Sequence, residues 1–211
     1  MNKNYLFFIL LLTGCSLTPQ KGKLISVYDF GFAEATNTSS KLPEQKQELP
    51  LSLLITEVRS PVWLNNNTIQ YRLAYQNPNQ SYKYANSRWT SSPAMLLTHY
   101  IRNNIVINTN NKLISTNTGA RADFILDLEL EEFSQIFNTA DTSYALIKLR
   151  AHIINREARL LKAQHTFNIK LKAPTANAAG AVHALSKSSK KLTIDLNNWL
   201  NKELIKIIEK K

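Results

Sequence analysis

The sequence predicts an α+β domain, a largely antiparallel sheet with two helices packed on one face. Two sets of observations carry this. Three long segments alternate apolar and polar residues with period two: Asp123–Phe133, Tyr144–Ile154 and Leu161–Lys172. Two others repeat apolar residues at helical spacing, one after Ser92-Pro93 and one from Asn177 to Trp199. Helices gathered on one face of an antiparallel sheet bury both sets of apolar residues together.

In the first long segment Phe124, Leu126, Leu128 and Leu130 share a face opposite Asp127, Glu129 and Glu131. In the second, Ala145, Ile147, Leu149, Ala151 and Ile153 lie opposite Lys148, Arg150 and His152. In the third, Leu161, Ala163, His165, Phe167, Ile169 and Leu171 lie opposite Lys162, Gln164, Thr166, Asn168, Lys170 and Lys172. Alternation this long means one buried face and one wet face. The connections at 134–143 and 155–160 suit an antiparallel meander. The acidic row then lies beside the basic row, and opposed charges contribute ~0.2–1 kcal/mol per pair. They also pin the register, because a one-residue slip would bury them.

The remaining elements follow in order. Leu24–Gly31, rich in aliphatic and aromatic residues, reads as a first strand. Residues 34–48 turn polar and read as a long flexible loop. Leu51–Val58 is a second strand, followed by Pro61-Val62-Trp63-Leu64 and the turn Asn65-Asn66-Asn67. Thr68–Tyr75 alternates and pairs with Tyr82–Asn86 across a turn at 76–81. Ser92 caps a helix that opens with Pro93 and runs to about Asn104, on Leu97, Ile101 and Ile105. Leu113-Ile114 reads as a brief strand. Pro174 closes the last long strand. The second helix keeps Ala178, Val182, Leu185, Ser189, Leu192, Leu196 and Trp199 on one continuous face. Its stripe continues through Leu200, Leu204, Ile207 and Ile208, with Lys187, Lys190, Lys191, Lys202 and Lys206 mostly off it.

The start of the chain has another purpose. Lys3 precedes an unbroken apolar octet, Tyr5–Leu12, then Thr13-Gly14-Cys15. A charged start and a short apolar run make an export signal. Eight residues are too few to span a bilayer, which needs ~20 in a helix. Leu12-Thr13-Gly14-Cys15 resembles the lipobox of bacterial lipoproteins. The resemblance implies cleavage before Cys15, diacylglycerol on its thiol and acylation (palmitate-type) of the new amino terminus. Ser16, not aspartate, then favours the outer membrane. Residues 1–14 are the signal peptide, 15–23 a lipidated tether, and 24–211 a single domain. A lone cysteine cannot staple the fold.

The net charge is +11, and the signal removes only Lys3. A basic envelope protein can meet anionic lipid, lipopolysaccharide or an acidic partner. The export signal argues against nucleic acid. No G-x-S-x-G, phosphate-cradling glycine loop or H-E-x-x-H occurs. His99, His152, His165 and His183 are scattered without metal-ligand spacing, and His165 reads as a hydrogen-bonded core histidine. Asp127, Glu129 and Glu131 stand nearly in line along a strand, which suits a solvated face better than calcium. The expectation is a non-enzyme with no cofactor and no metal.

Tyr84-Ala85-x-x-Arg88-Trp89-x-x-x-Pro93 places an Arg-Trp pair just before a capped helix. Read structurally, Trp89 fills the gap between helix and sheet and Arg88 braces a loop. Read functionally, Tyr84, Arg88 and Trp89 contact a partner.

The chain resembles the ABC-type transport auxiliary lipoproteins of the paraquat-inducible protein C type. The resemblance rests on the lipobox at Cys15, Tyr28-Asp29-Phe30-Gly31, Ile69-Gln70-Tyr71-Arg72, the Tyr84/Arg88-Trp89/Pro93 block, Ala122-Asp123-Phe124 and the C-terminal helix. Asn65-Asn66-Asn67 departs from the family's Leu-Asp-Arg type turn, and Thr90 and Ser91 from its usual alanine and acidic residue. The resemblance implies an α/β ABC-transport auxiliary domain on the periplasmic face of the outer membrane. Its implied partners are a periplasmic MCE-domain protein and an ABC permease and ATPase, in intermembrane lipid transport, with no catalysis of its own. A ring-like homo-oligomer would suit the end of such a conduit. The other class open to this charge is a lipoprotein that binds peptidoglycan or lipopolysaccharide, or assists assembly of an outer-membrane barrel.

Overall fold

The computed structural model describes residues 24–31, 52–108, 113–114 and 122–209. Cys15, the tether and the 34–48 loop lie outside the described residues. Eight strands form one sheet: β1 (Ser26–Tyr28), β2 (Leu53–Ile55), β3 (Thr68–Leu73), β4 (Ser81–Trp89), β5 (Leu113–Ile114), β6 (Phe124–Phe137), β7 (Ser143–Asn155) and β8 (Leu160–Lys172). Helices α1 (Pro93–Asn108) and α2 (Ala178–Glu209) complete the α+β fold. Neither is long and apolar enough to cross a membrane.

β6 is the strand that the others share. On one side it pairs antiparallel with β7, which pairs antiparallel with β8. Its other edge is shared end to end by two strands. β2 runs parallel to its first part, Leu53 opposite Phe124, and β3 parallel to its last part, Gln70 opposite Ser134. Between them the chain stays on β6 through Arg59, whose N–H donates to the Leu128 carbonyl at 2.9 Å. It then leaves over Pro61 into a 3-10 turn, Val62–Leu64. β5 lies outside β2, β4 lies outside β3, and β1 pairs parallel with β4. The long ladders are antiparallel as expected; the parallel ones are short. β6 extends four residues beyond its expected end because Gln70–Leu73 pair with Ser134–Phe137.

The alternation sets the two faces. Leu126, Leu128, Leu130, Ile147, Leu149 and Ile153 are fully buried toward the helices. Leu97, Ile101 and Ile105 of α1, and Leu185, Leu192, Leu196 and Leu200 of α2, close over them. Each such side chain contributes about 1.5–3 kcal/mol by leaving water. Ser92 Oγ accepts from the Met95 N–H, so α1 starts where its cap predicts. Asn177 Oδ1 accepts from the Gly180 N–H at 2.9 Å and caps α2. Gly180 is required there: a Cβ would stand 2.0 Å from the Thr175 carbonyl oxygen.

The wet face is a lattice of ion pairs. Asp127 lies opposite His152 and Glu129 opposite Arg150. Arg59 forks onto Asp127 with contacts of 2.9 and 3.2 Å, and His152 Nδ1 stands 3.4 Å from the same carboxylate. Arg150 pairs with Glu131, and Arg72 with Glu132 at 3.7 Å. The Asp127 hydrogen bond and charge raise the affinity of Arg59 for its proton. Each exposed pair adds ~0–1 kcal/mol, so their chief effect is on register.

His165 corrects an expectation. It is exposed, not a core residue; its ring packs 4.6 Å from Phe167 and 6.0 Å from Trp199. β8 is an edge strand, and its first turns reach past the cover of α2. Leu160 and Leu161 beside it are more than half exposed. Alternation reports which face a residue takes, not whether a helix covers that stretch.

Candidate functional site

The sequence motifs converge on a junction of β1, β4, β6 and α1. After β1, Asp29 Oδ1 accepts from the Gly31 N–H at 2.7 Å. Gly31 sits at φ +76°, which glycine adopts without a Cβ penalty. This Asx turn ends the first strand earlier than expected and drops Phe30 inward. Tyr28 stands opposite Trp89 in the sheet, and the Thr90 N–H donates to the Tyr28 carbonyl at 2.7 Å. The Trp89 N–H donates to Asn67 O, also at 2.7 Å. Phe30 then meets Trp89 at 5.6 Å, Phe133 at 5.8 Å and Tyr100 at 6.2 Å between ring centroids. Trp89 and Phe133 touch edge to face at 5.8 Å. Edge-on aromatic pairs add ~0.5–1.5 kcal/mol beyond burial.

A second aromatic group lies along the hairpin. Tyr71 stacks on Tyr82 at 5.3 Å and packs against Tyr84 at 4.6 Å and Phe137 at 5.7 Å. The Tyr84 hydroxyl donates to Gln135 Oε1 at 2.6 Å. Gln135 is fully buried, and its Nε2 donates to Ser143 Oγ at 2.7 Å. Burial, and after it the Tyr71 phenol, push the Tyr84 hydroxyl well above the ordinary tyrosine range.

Tyr84, Arg88 and Trp89 are therefore not one site. The β3–β4 register jumps between Lys83, opposite Gln70, and Arg88, opposite Thr68. The irregularity reverses which residues face inward, so Tyr82, Tyr84 and Trp89 share the helix side. Arg88 takes the wet side. Trp89 is 1% exposed and fills the gap between helix and sheet. Among the described residues the Arg88 guanidinium has no hydrogen bond or ion pair. The Ala122-Asp123-Phe124 motif is likewise a clasp. Asp123 Oδ2 accepts from the Ser52 N–H at 2.8 Å and from Ser52 Oγ at 2.6 Å. Among the described residues, no three His, Cys, Asp or Glu side chains gather to hold a metal.

The inward packing of Phe30 and the buried role of Gln135 are not legible in the sequence. Phe30 lay inside a run read as strand, although Asp-x-Gly is a turn signal. Gln135 lay inside a stretch read as loop.

Tyr84→Phe leaves Gln135 Oε1 buried without a donor, and should cost about 1–3 kcal/mol in urea unfolding. Wild-type stability should also fall as pH rises past the ordinary tyrosine value of about 10. The unfolded chain releases those protons there while the native one retains them. The variant should lose part of that fall and keep the part due to Tyr100, whose hydroxyl burial also raises. An unchanged pH profile would remove Tyr84 from the account.

The ABC-type transport auxiliary lipoprotein component family matches residues 30–196, from Phe30 to Leu196 of the α2 stripe. The chain belongs to this family. It is an auxiliary lipoprotein of an ABC-type transport system, and such a protein is held at a membrane of the cell envelope. A crystal structure of a protein from Xanthomonas campestris superposes with TM-score 0.66 at 16% identity. It covers 75% of this chain and 88% of that one. A crystal structure of an uncharacterized protein gives 0.60 at 15% identity, over 84% and 99% of the two chains. At these identities the likeness is one of fold. No curated protein matches the chain.

Proposed function

We propose that this lipoprotein is a non-catalytic component of an MCE-type intermembrane lipid transport system, anchored by acyl chains on Cys15 in the inner leaflet of the outer membrane. The family match over residues 30–196 carries the reading. The lipobox and Ser16 supply the anchor and its membrane. Residues 1–14 are removed as the signal, 15–23 form the tether, and 24–211 form one domain. A periplasmic MCE-domain protein docks on the domain, and an ABC permease and ATPase provide the energy. The motif residues agree with an accessory role: Trp89, Phe30, Tyr84 and Asp123 are committed to the fold, and the carboxylates Asp127, Glu131 and Glu132 to ion pairs.

Affinity purification from detergent-solubilised envelope, with mass spectrometry, tests this. Stoichiometric recovery of an MCE-domain subunit is expected. Recovery of lipopolysaccharide, peptidoglycan fragments or a barrel protein without that subunit would replace the proposal with the binding-lipoprotein reading, which the net charge also suits.

A further inference from the structure

Exposed apolar bulk gathers in two segments. Leu24, Ile25 and Val27 of the β1 region, and Val62 and Trp63 of the 3-10 turn, account for five of the nine exposed large hydrophobic residues among those described. Trp63 is 63% exposed while its neighbour Leu64 is 2% exposed. Leu64 therefore makes the turn's core contact, and the indole contributes little to folding. The backbone that carries the indole is nonetheless held in place. The Trp63 carbonyl accepts from Gln70 Nε2 at 2.6 Å and from Asn66 Nδ2 at 2.8 Å.

The sheet brings the two segments together on its wet side. Val27 stands opposite Arg88, and Arg88 opposite Thr68. Neighbouring strands lie about 4.8 Å apart. The Thr68 N–H donates to Asn66 Oδ1 at 3.0 Å, and Asn66 holds the Trp63 carbonyl. Gln70, the other group on that carbonyl, shares the wet side with Thr68. Ile25, Val27 and Arg88 thus share one side of the sheet, and the turn that carries Val62 and Trp63 is tied to Thr68 and Gln70 on that same side. Among the arginines of this side of the sheet, Arg59, Arg72 and Arg150 each pair with a carboxylate, whereas among the described residues Arg88, like Lys83 and Lys148 on the same side, pairs with none.

The chemistry and the place both point to one occupant. Tryptophan favours the head-group level of a bilayer, where its ring is half in hydrocarbon and its N–H is wet. A basic side chain near an anionic surface is drawn to it. Leu24 follows Cys15 by nine positions. At ~3.3–3.6 Å per residue, Leu24, just ahead of β1, lies within about 30 Å of the lipidated residue. We infer that the patch of Ile25, Val27, Val62, Trp63 and Arg88 rests on the anionic head-group layer of the anchoring membrane and fixes the orientation of the domain above it. The inference rests on the anchor reading for its reach.

The test uses the full-length lipidated protein in phosphatidylglycerol-containing vesicles with brominated acyl chains, which quench nearby indoles. Flotation is measured on the same samples, with Cys15→Ala in parallel. Wild type should be quenched, and Trp63→Phe should lose most of that quenching, since Trp89 is buried inside the domain and the half-buried Trp199 packs on His165 and Phe167 of β8, on the helix side of the sheet. Arg88→Gln should weaken quenching and reduce its dependence on the anionic lipid. Cys15-dependent flotation with no quenching, or with quenching unchanged in Trp63→Phe, overturns the patch and leaves the anchor. Quenching through Trp63 that persists in Cys15→Ala keeps the patch and overturns the anchor as its cause. Neither flotation nor quenching overturns both. If Trp63→Phe is quenched like wild type but no longer recovers an MCE subunit, the patch is a protein-docking surface and the inference falls.

Discussion

Replacing Trp89 by alanine should destabilise the domain by about 3–5 kcal/mol. Natural domains hold about 5–15 kcal/mol in all, so much of the chain would unfold in mild denaturant. The loss has two sources. The indole is 1% exposed and leaves a cavity behind. Phe30 and Phe133 also lose their shared edge-on contact, which leaves β1 held on β4 by its backbone ladder alone. Trp89→Phe should recover more than half of the loss. Arg88→Ala, one residue away on the other side of the sheet, should change stability by less than about 0.5 kcal/mol. Urea unfolding followed by far-ultraviolet circular dichroism makes the comparison. A Trp89→Ala protein within 1 kcal/mol of wild type would refute the junction described here.

Replacing Cys15 by alanine should move the protein from the membrane fraction to the soluble one without changing its unfolding curve. Each acyl methylene buried contributes about 0.8 kcal/mol, and chains act together where one alone is reversible. Removing the thiol removes the site for diacylglycerol and the processing that exposes a new amino terminus. Cys15 precedes the first described strand by more than ten residues, so folding should not register the change. Fractionation with intact-mass measurement decides the matter, and continued membrane association would sink the anchor. A Ser16→Asp variant separates the membranes: it should stay lipidated and shift toward the inner one.

The long ladders were legible because their signal is local. Alternation through β6, β7 and β8 and the opposed charges at Asp127, Glu129, His152 and Arg150 specify faces and register within about fifty residues. The same local rules found both helices and the Ser92 cap of the first; the Asn177 cap of the second went unread. The parallel pairings were not legible. Leu53-Leu54-Ile55 is an apolar triplet that would suit any edge, and nothing in it names Phe124 as its partner. Tyr84, Arg88 and Trp89 looked like one motif because they are close in sequence. The irregularity in β4 sends them to opposite sides of the sheet, and no residue type in Ala85-Asn86-Ser87 announces it. Trp63 was visible only as part of an apolar cluster. That Leu64 alone of the turn is buried is a tertiary outcome that its residue type does not announce.

The shared edge of β6 also sets a timetable. A chain emerges amino terminus first, so β2 leaves the ribosome long before the strand it needs. Ser52 must wait for Asp123, 71 positions further along. The β3–β4 hairpin and the β6–β7–β8 meander close between neighbours and can form as soon as they appear, whereas non-local pairings come late. Through that interval Leu53, Ile55 and Ile69 have no sheet to cover them, and exposed apolar strands are the species that aggregate. The last hundred residues thus complete what the first hundred cannot hold alone, and a truncated product lacking β6 is the form that needs a chaperone most.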